Sequence, residues 1–391
     1  MDRSRILSAF SPECRTNDMI EIFRGFRFGE CCFPVPRQVV FEIICFRCIV
    51  LYFQLGVSKM FREYQKENHS YLEIDLPEWH AEIILSVGSN LIELTDKKSG
   101  FSILRTPPSI QDILRQPEVW GFPVLIPPNR ICGGKCTWRG REYHFPQNDG
   151  HGNFLHGLVR HVPWKVESAG TEGNAPYVET SYTYDEKNSI FEGFPHKLKV
   201  NLRYVFRKDK LIQRLTAVNL SDSVMPFAAG FHSAFNFPLK TKTPEAYRSS
   251  KIYASVADHC WEMERNPRFS ATGRKQKWNG YDDLINGKIV NREPVSIQAP
   301  VMERVLCGIP FHGAILDYPA DGVRIFYRWD PKFTQTALWN GDGTQDFFCP
   351  EPMSWMSDSP NLPLSDRETG LYALEPGETW SAENQLWTAP L

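Results

Sequence analysis

Four short stretches carry the residues best suited to chemistry: Gly121–Ile131 (GFPVLIPPNRI), Leu155–Trp164 (LHGLVRHVPW), Gly230–Leu239 (GFHSAFNFPL) and Cys349-Pro350-Glu351-Pro352. They supply Arg130, His156, Arg160, His232 and Glu351, each within sequence that otherwise reads as β-strand. An arginine fork can hold hydroxyl oxygens, an imidazole exchanges a proton near neutral pH, and a carboxylate acts as a base. The mixture suits a polyhydroxylated ligand such as a sugar, with proton transfer to or from it.

Each residue also has a plainer reading. Asn129-Arg130 follows two prolines and precedes Cys132-Gly133-Gly134, so the guanidinium could be aimed at a ligand or locked in a structural ion pair. His156, Leu158 and Arg160 would share one face if their segment is a strand, lining a cleft; a lone histidine is otherwise a satisfied core or surface residue. His232 sits among small and apolar residues, which lowers an imidazole's pKa, and a buried structural histidine has the same surroundings. Glu351 lies between prolines that cannot donate to a ladder, which predicts a strand end or loop holding the carboxylate rigidly in an apolar setting. Asp282 and Asp283 precede apolar residues, a pattern shared with turns and helix caps.

A metal reading competes with these. Cys132-x3-Cys136, fourteen residues, then His151-x4-His156 falls within zinc-finger spacing. A finger needs its histidines on a helix, however, and His151–His156 follows Pro146 and Asn148–Gly150 with no basic recognition surface. These four residues are expected not to converge.

The elements that must position these groups are mostly strands. Lys197–Arg207 (KLKVNLRYVFR) alternates, with Leu198, Val200, Leu202, Tyr204 and Phe206 on one face. Tyr177–Tyr184, Leu211–Leu220 and Val323–Trp329 read the same way, separated by turn-formers. Ser109–Arg115, behind two prolines, predicts a short helix and little else does. Many short strands with frequent turns predict an all-β chain folded as a large antiparallel sandwich, with residues 60–391 as one domain. Residues 1–59 differ: they hold five of the ten cysteines, none of the tryptophans, and seven arginines to one lysine. They are read either as an appendage translated from an upstream start, with Met60 the natural beginning, or as a divergent N-terminal extension. The apolar run Val39–Phe53 is interrupted by Glu42 and Arg47 and is too short to cross a bilayer.

The net charge of −2, without a basic block, argues against nucleic acid or a membrane surface as partner. The remaining cysteines show no disulfide spacing and no export signal is seen, so the cytoplasm is the expected compartment.

Taken together, Pro128-Asn129-Arg130-Ile131, Leu155-His156-Gly157 with Arg160 and Trp164, His232-Ser233-Ala234-Phe235-Asn236, and Cys349-Pro350-Glu351-Pro352 resemble the aldose 1-epimerase (galactose mutarotase-like) superfamily over about residues 70–391. The resemblance implies a β-supersandwich and a cofactor-free, metal-free interconversion of sugar anomers. By it, Glu351 is the base at the anomeric hydroxyl and His232 the acid at the ring oxygen; two proton transfers on one bound pyranose then predict that the groups face each other across the cleft, separated by roughly a sugar ring's edge rather than touching. Arg130, His156, Asn129 and Arg160 are implied to bind the sugar, and Asp282 to accept one of its hydroxyls. The chain departs from the family pattern in Leu158, where a second glycine is usual, in Ser233, where proline is usual, and in Pro350. Alternatives kept open are a hexose-6-phosphate epimerase and a non-catalytic carbohydrate-binding or sensing protein.

Overall fold

The computed structural model describes residues 60–264, 269–289 and 293–391; the readings made for residues 1–59 lie outside the described residues. Period-two patterning becomes antiparallel sheet throughout. The strand Leu198–Phe206 buries Leu198, Val200, Leu202, Tyr204 and Phe206, while Lys199, Asn201 and Arg203 between them stay half-exposed. It pairs with Ala175–Tyr184 on one side and Leu211–Asn219 on the other, Leu202 standing opposite Thr180 and Leu215. Each fully buried side chain of this size stabilises the sheet by about 1.5–3 kcal/mol. On the outward face Arg203 reaches Glu179 at 2.8 Å and Glu172 at 3.1 Å, as a solvated sheet face requires.

These strands belong to a nine-stranded sheet running Lys165–Glu172, Ala175–Tyr184, Leu198–Phe206, Leu211–Asn219, Thr379–Pro390, Val323–Arg328, Gly313–Tyr318, Lys251–Ala254 and Lys288–Ile289. A six-stranded sheet runs Ser296–Pro300, Gln335–Trp339, Phe347–Met353, Gly230–Phe231 and Val124–Leu125, with Phe235–Asn236 also paired to Phe347–Met353. One apolar cluster takes Leu202, Leu215 and Tyr327 from the larger sheet and Phe231, Leu338 and Phe348 from the smaller, which is the sandwich the patterning predicts. A third sheet, five strands from Phe61–Lys66 to Phe101–Ser102, is a meander.

The two larger sheets are also tied by buried polar groups. Ser233 Oγ lies 3.2 Å from Tyr327 Oη, which lies 3.3 Å from Gln213 Oε1, and Asn384 Nδ2 donates to both at 3.2 and 3.0 Å. All four are buried, so each must find a partner inside the protein. Ser233 therefore anchors its loop by a hydrogen bond where a proline would stiffen it by ring closure.

The helix expected near Ser109 is Ile110–Arg115, capped where Asp112 N–H donates to Ser109 Oγ. Three more short helices form at Pro244–Ser249, Tyr281–Ile285 and Asp366–Thr369, two of them behind Thr243 and Ser365 caps. Among the described residues no helix is long and apolar enough to cross a membrane.

Candidate active site

Strand pairing builds the floor of a cavity of about 440 Å³. Ala337 stands opposite Glu351 on one side and Gln298 on the other, and the next row on the same face holds Ser296, Trp339 and Cys349. Glu351 thus projects from inside a strand, Phe347–Met353, whose seven residues are all buried. This corrects the expected strand end or loop. On the edge facing Gly230–Asn236, ladder pairing is confined to Phe347, Phe348 and Met353. Opposite Cys349–Pro352 the chain turns away instead: His232 N–H donates to Pro123 O and Ala234 N–H to Gly121 O. Pro350 and Pro352, which alternate with Glu351, can lack their N–H on that unladdered side.

His232 occupies the interruption and meets Glu351, Nε2 to Oε1, at 3.2 Å. The two groups touch, contrary to the expected separation. Both are nearly inaccessible, 4% and 2% exposed, and groups so buried are held by polar partners. Burial, with the Arg160 charge, pushes His232 down to about 3. Burial, with the Glu118 charge, pushes Glu351 well above the usual carboxylate range, while Arg130 pulls the other way. The directions agree: the pair holds one proton, resting on the carboxyl beside a neutral imidazole. Cys349 is the third member of this group, its sulfur within 4.8 Å of ligand atoms of the other two. Burial raises its thiol well above the usual value, so it stands beside the pair as a neutral neighbour.

Asn129 and His156 form the adjoining wall, tied to each other by two hydrogen bonds. Both have left-handed backbones, with φ of 59° and 61°. His156 N–H donates to Asn129 O at 3.0 Å, and Asn129 N–H donates to His156 Nδ1 at 3.2 Å. Because Nδ1 accepts, the ring proton sits on Nε2, and burial with the neighbouring charges holds the imidazole neutral. Gly157, at φ 79°, lets the chain pass Ile126, whose carbonyl oxygen would lie 2.0 Å from any Cβ there. Leu158, where a second glycine is usual, is buried in the core cluster. Asn129 Oδ1 accepts from Arg130 N–H, and Asp149 holds Arg130 Nε at 2.9 Å. Burial opposes the Asp149 charge, yet hydrogen bonds from Asn153, His151 and Arg130 hold it down at about 2.

The structure thus brings His232, Glu351, Asn129, Arg130 and His156 to one cavity. Arg160 is adjacent rather than lining: it is buried, bonded through Nη1 to Glu118 Oε2 and through Nη2 to Leu155 O at 3.3 Å. The face proposed for His156, Leu158 and Arg160 does not form, because the strand ends at Leu155 and the left-handed His156 turns the chain. Asp282 is exposed in the first turn of Tyr281–Ile285 and is not in the cavity wall; its pattern belongs to the helix start. Cys132, Cys136, His151 and His156 scatter: Cys136 is in the core, His151 lies on Phe269, and His156 faces His232.

Sequence reasoning missed Glu118, Gln298, Trp261, Trp278 and Trp339, all of which line the cavity. Trp339 packs edge-on to His232 with ring centroids 5.4 Å apart. No local motif marks them; cross-strand register puts Trp339 and Gln298 on the face of Glu351.

An antiparallel supersandwich with an imidazole–carboxyl pair at the floor of an open, aromatic-lined cavity defines a galactose mutarotase-like protein. The sequence pattern of the aldose 1-epimerase family matches residues 78–387, and the chain belongs to that family. It is 28% identical to a galactose mutarotase-like protein from Clostridium acetobutylicum, with a TM-score of 0.79 covering 85% of this chain and 98% of that one. Galactose 1-epimerase from Lactobacillus acidophilus NCFM shares the fold at 16% identity, with a TM-score of 0.64 covering 84% and 98%. The curated protein YphB of Escherichia coli (strain K12), described as uncharacterized, is 26% identical over 277 residues, 68% of this chain and 82% of that protein.

Proposed function

We propose that the protein is an aldose 1-epimerase that interconverts the α and β anomers of a neutral hexose or related aldose. The observation that carries this reading is the contact of His232 with Glu351, 3.2 Å from Nε2 to Oε1, at the cavity floor. The anomeric hydroxyl oxygen and the ring oxygen are bonded to one carbon, so an acid and a base in contact can address both together. Moving the shared proton from carboxyl to imidazole produces the carboxylate base and imidazolium acid that ring opening needs. Glu351 takes the anomeric hydroxyl proton, His232 protonates the ring oxygen, and the bond from the anomeric carbon to the ring oxygen breaks. The aldehyde end rotates, and reclosure returns each proton to its donor. His156 Nε2–H and Arg130 stabilise negative charge developing on the sugar oxygens. The scheme moves only protons and requires no cofactor.

A neutral sugar is favoured over a sugar phosphate by the charges on the wall. Among the described lining residues the carboxylates Glu118 and Glu264 face a single cation, Arg130, which is already engaged by Asp149. The unbridged thiols of Cys136, Cys260 and Cys349 are in keeping with a reducing cytoplasm, which we propose as the compartment.

The test is anomer exchange followed by NMR across a panel of aldoses and aldose 6-phosphates. Neutral aldoses are expected to be turned over and 6-phosphates poorly. Glu351→Gln and His232→Asn should each lower kcat by about 10²–10⁴-fold while sugar binding survives. Binding without accelerated exchange in the unaltered protein would establish a sugar-binding protein instead.

A further inference from the structure

We propose that Glu118, held in place by Arg160, accepts a hydrogen bond from one hydroxyl of the bound sugar and selects the sugar by that hydroxyl. The proposal rests on the epimerase reading. It fills a gap in that reading, since Asp282, the expected hydroxyl acceptor, is not in the cavity wall.

Glu118 has the properties the role demands. Its side chain is 13% exposed and lines the cavity, while Arg160 behind it is 5% exposed. Oε2 takes the Arg160 Nη1–H, and Oε1 has no hydrogen-bond partner among the described residues. A carboxylate accepts through both oxygens, so the second is left for the cavity. The turn carrying Glu118, Pro117–Val119, is fixed by its buried neighbours Pro117 and Val119 and by the buried Asn90, whose Nδ2 donates to Trp120 O at 2.8 Å and Pro117 O at 3.4 Å. Arg160 is fixed in turn, because its backbone lies where a Cβ on Gly88 would come within 2.6 Å of its carbonyl oxygen. A buried ion pair is a poor source of stability, and retention of one beside a ligand cavity fits a role in recognition. A preorganised carboxylate forms stronger hydrogen bonds than a neutral acceptor and loses little freedom on binding.

The experiment measures kcat and KM by NMR anomer exchange on an accepted aldose and on its monodeoxy analogues. Three variants are compared with the unaltered protein: Glu118→Gln, Glu118→Asp, which keeps the charge facing Arg160, and Glu118→Gln with Arg160→Met, which removes both charges together. Glu118→Gln is expected to raise KM about 10-fold or more with kcat within about 3-fold, the loss of a charge-assisted bond. One deoxy analogue should lose affinity for the unaltered protein yet be handled equally by the protein and its Glu118 variants. A general structural defect would leave every deoxy penalty in place. Deoxy penalties that all persist in the variants, or an unchanged KM, overturn the proposal while leaving the epimerase reading intact. If Glu118→Gln does not fold, the other two variants are judged by the same criterion. If the unaltered protein accelerates exchange of no aldose, the epimerase reading fails. The same deoxy comparison then runs on binding, followed by tryptophan fluorescence, and absence of any sugar binding overturns both.

Discussion

His232 and Glu351 are displaced in opposite directions by one cause, burial, and the displacement sets how the site responds to pH. The proposed reaction needs the pair to carry one proton. A second proton is added only near the His232 value of about 3, and the single proton leaves only well above the usual carboxylate range. The acid limb of the kcat/KM profile is therefore expected near the His232 value of about 3, with no imidazole step at the ordinary 6.5. A titrating step at 6.5 in the profile, abolished by His232→Asn, would show that the imidazole works as an isolated acid. Cys349 offers a second check at this scale. Its thiol is neutral and packs in a small apolar cluster with Ala234 and Phe347, so Cys349→Ala should leave the pH profile unchanged.

At the scale of elements, two unusual segments place the site. In Phe347–Met353 the alternation of prolines with Glu351 permits a strand that is laddered on one side and open to His232 on the other. Around Asn129 and His156, a reciprocal pair of left-handed residues sets both the turn and the imidazole tautomer. Asparagine tolerates this backbone better than alanine does, and glycine tolerates it freely. Asn129→Ala should therefore be less stable than Asn129→Gly by roughly 1 kcal/mol, measured by urea unfolding. Both should raise KM, because each loses the Oδ1 that accepts from Arg130 N–H. Equal stabilities for the two variants would mean that the left-handed backbone at 129 is not maintained.

For the whole molecule, the sandwich encloses histidines that cannot be charged without cost. His156, His196, His232 and His312 are all lowered from 6.5, with burial the leading cause in each. A folded state that binds these protons more weakly than the unfolded chain is fully stabilised above 6.5. That stability is lost as pH falls from there through the folded values, about 4 for His196 and about 3 for His232. Glu351 works the other way, since its raised carboxyl favours the folded state as acid protonates it, but it is one group against four. The melting temperature should accordingly start to fall below about pH 6.5, before exposed carboxylates titrate. A melting temperature constant down to pH 4.5 would contradict the burial of these rings.

Periodicity in the chain was enough to establish an antiparallel sandwich, because side chains that alternate apolar and polar can satisfy one buried face only as strands. Leu198–Phe206 behaves as its pattern requires, and Val323–Arg328 and Leu211–Asn219 follow it. The motifs around Arg130, His156, His232 and Glu351 also marked residues that share one cavity, since histidine, arginine and glutamate in apolar strands are hard to keep without a common polar purpose. Asp282 shows the limit of such marking: two acids before apolar residues suit a helix start equally well, and the helix is what forms. The contact between His232 and Glu351, the recruitment of Glu118 by Arg160, and the rows that bring Gln298 and Trp339 beside Glu351 were decided by tertiary structure alone. Strand order and register join segments more than a hundred residues apart, and no local pattern in the chain records which partner each strand will find.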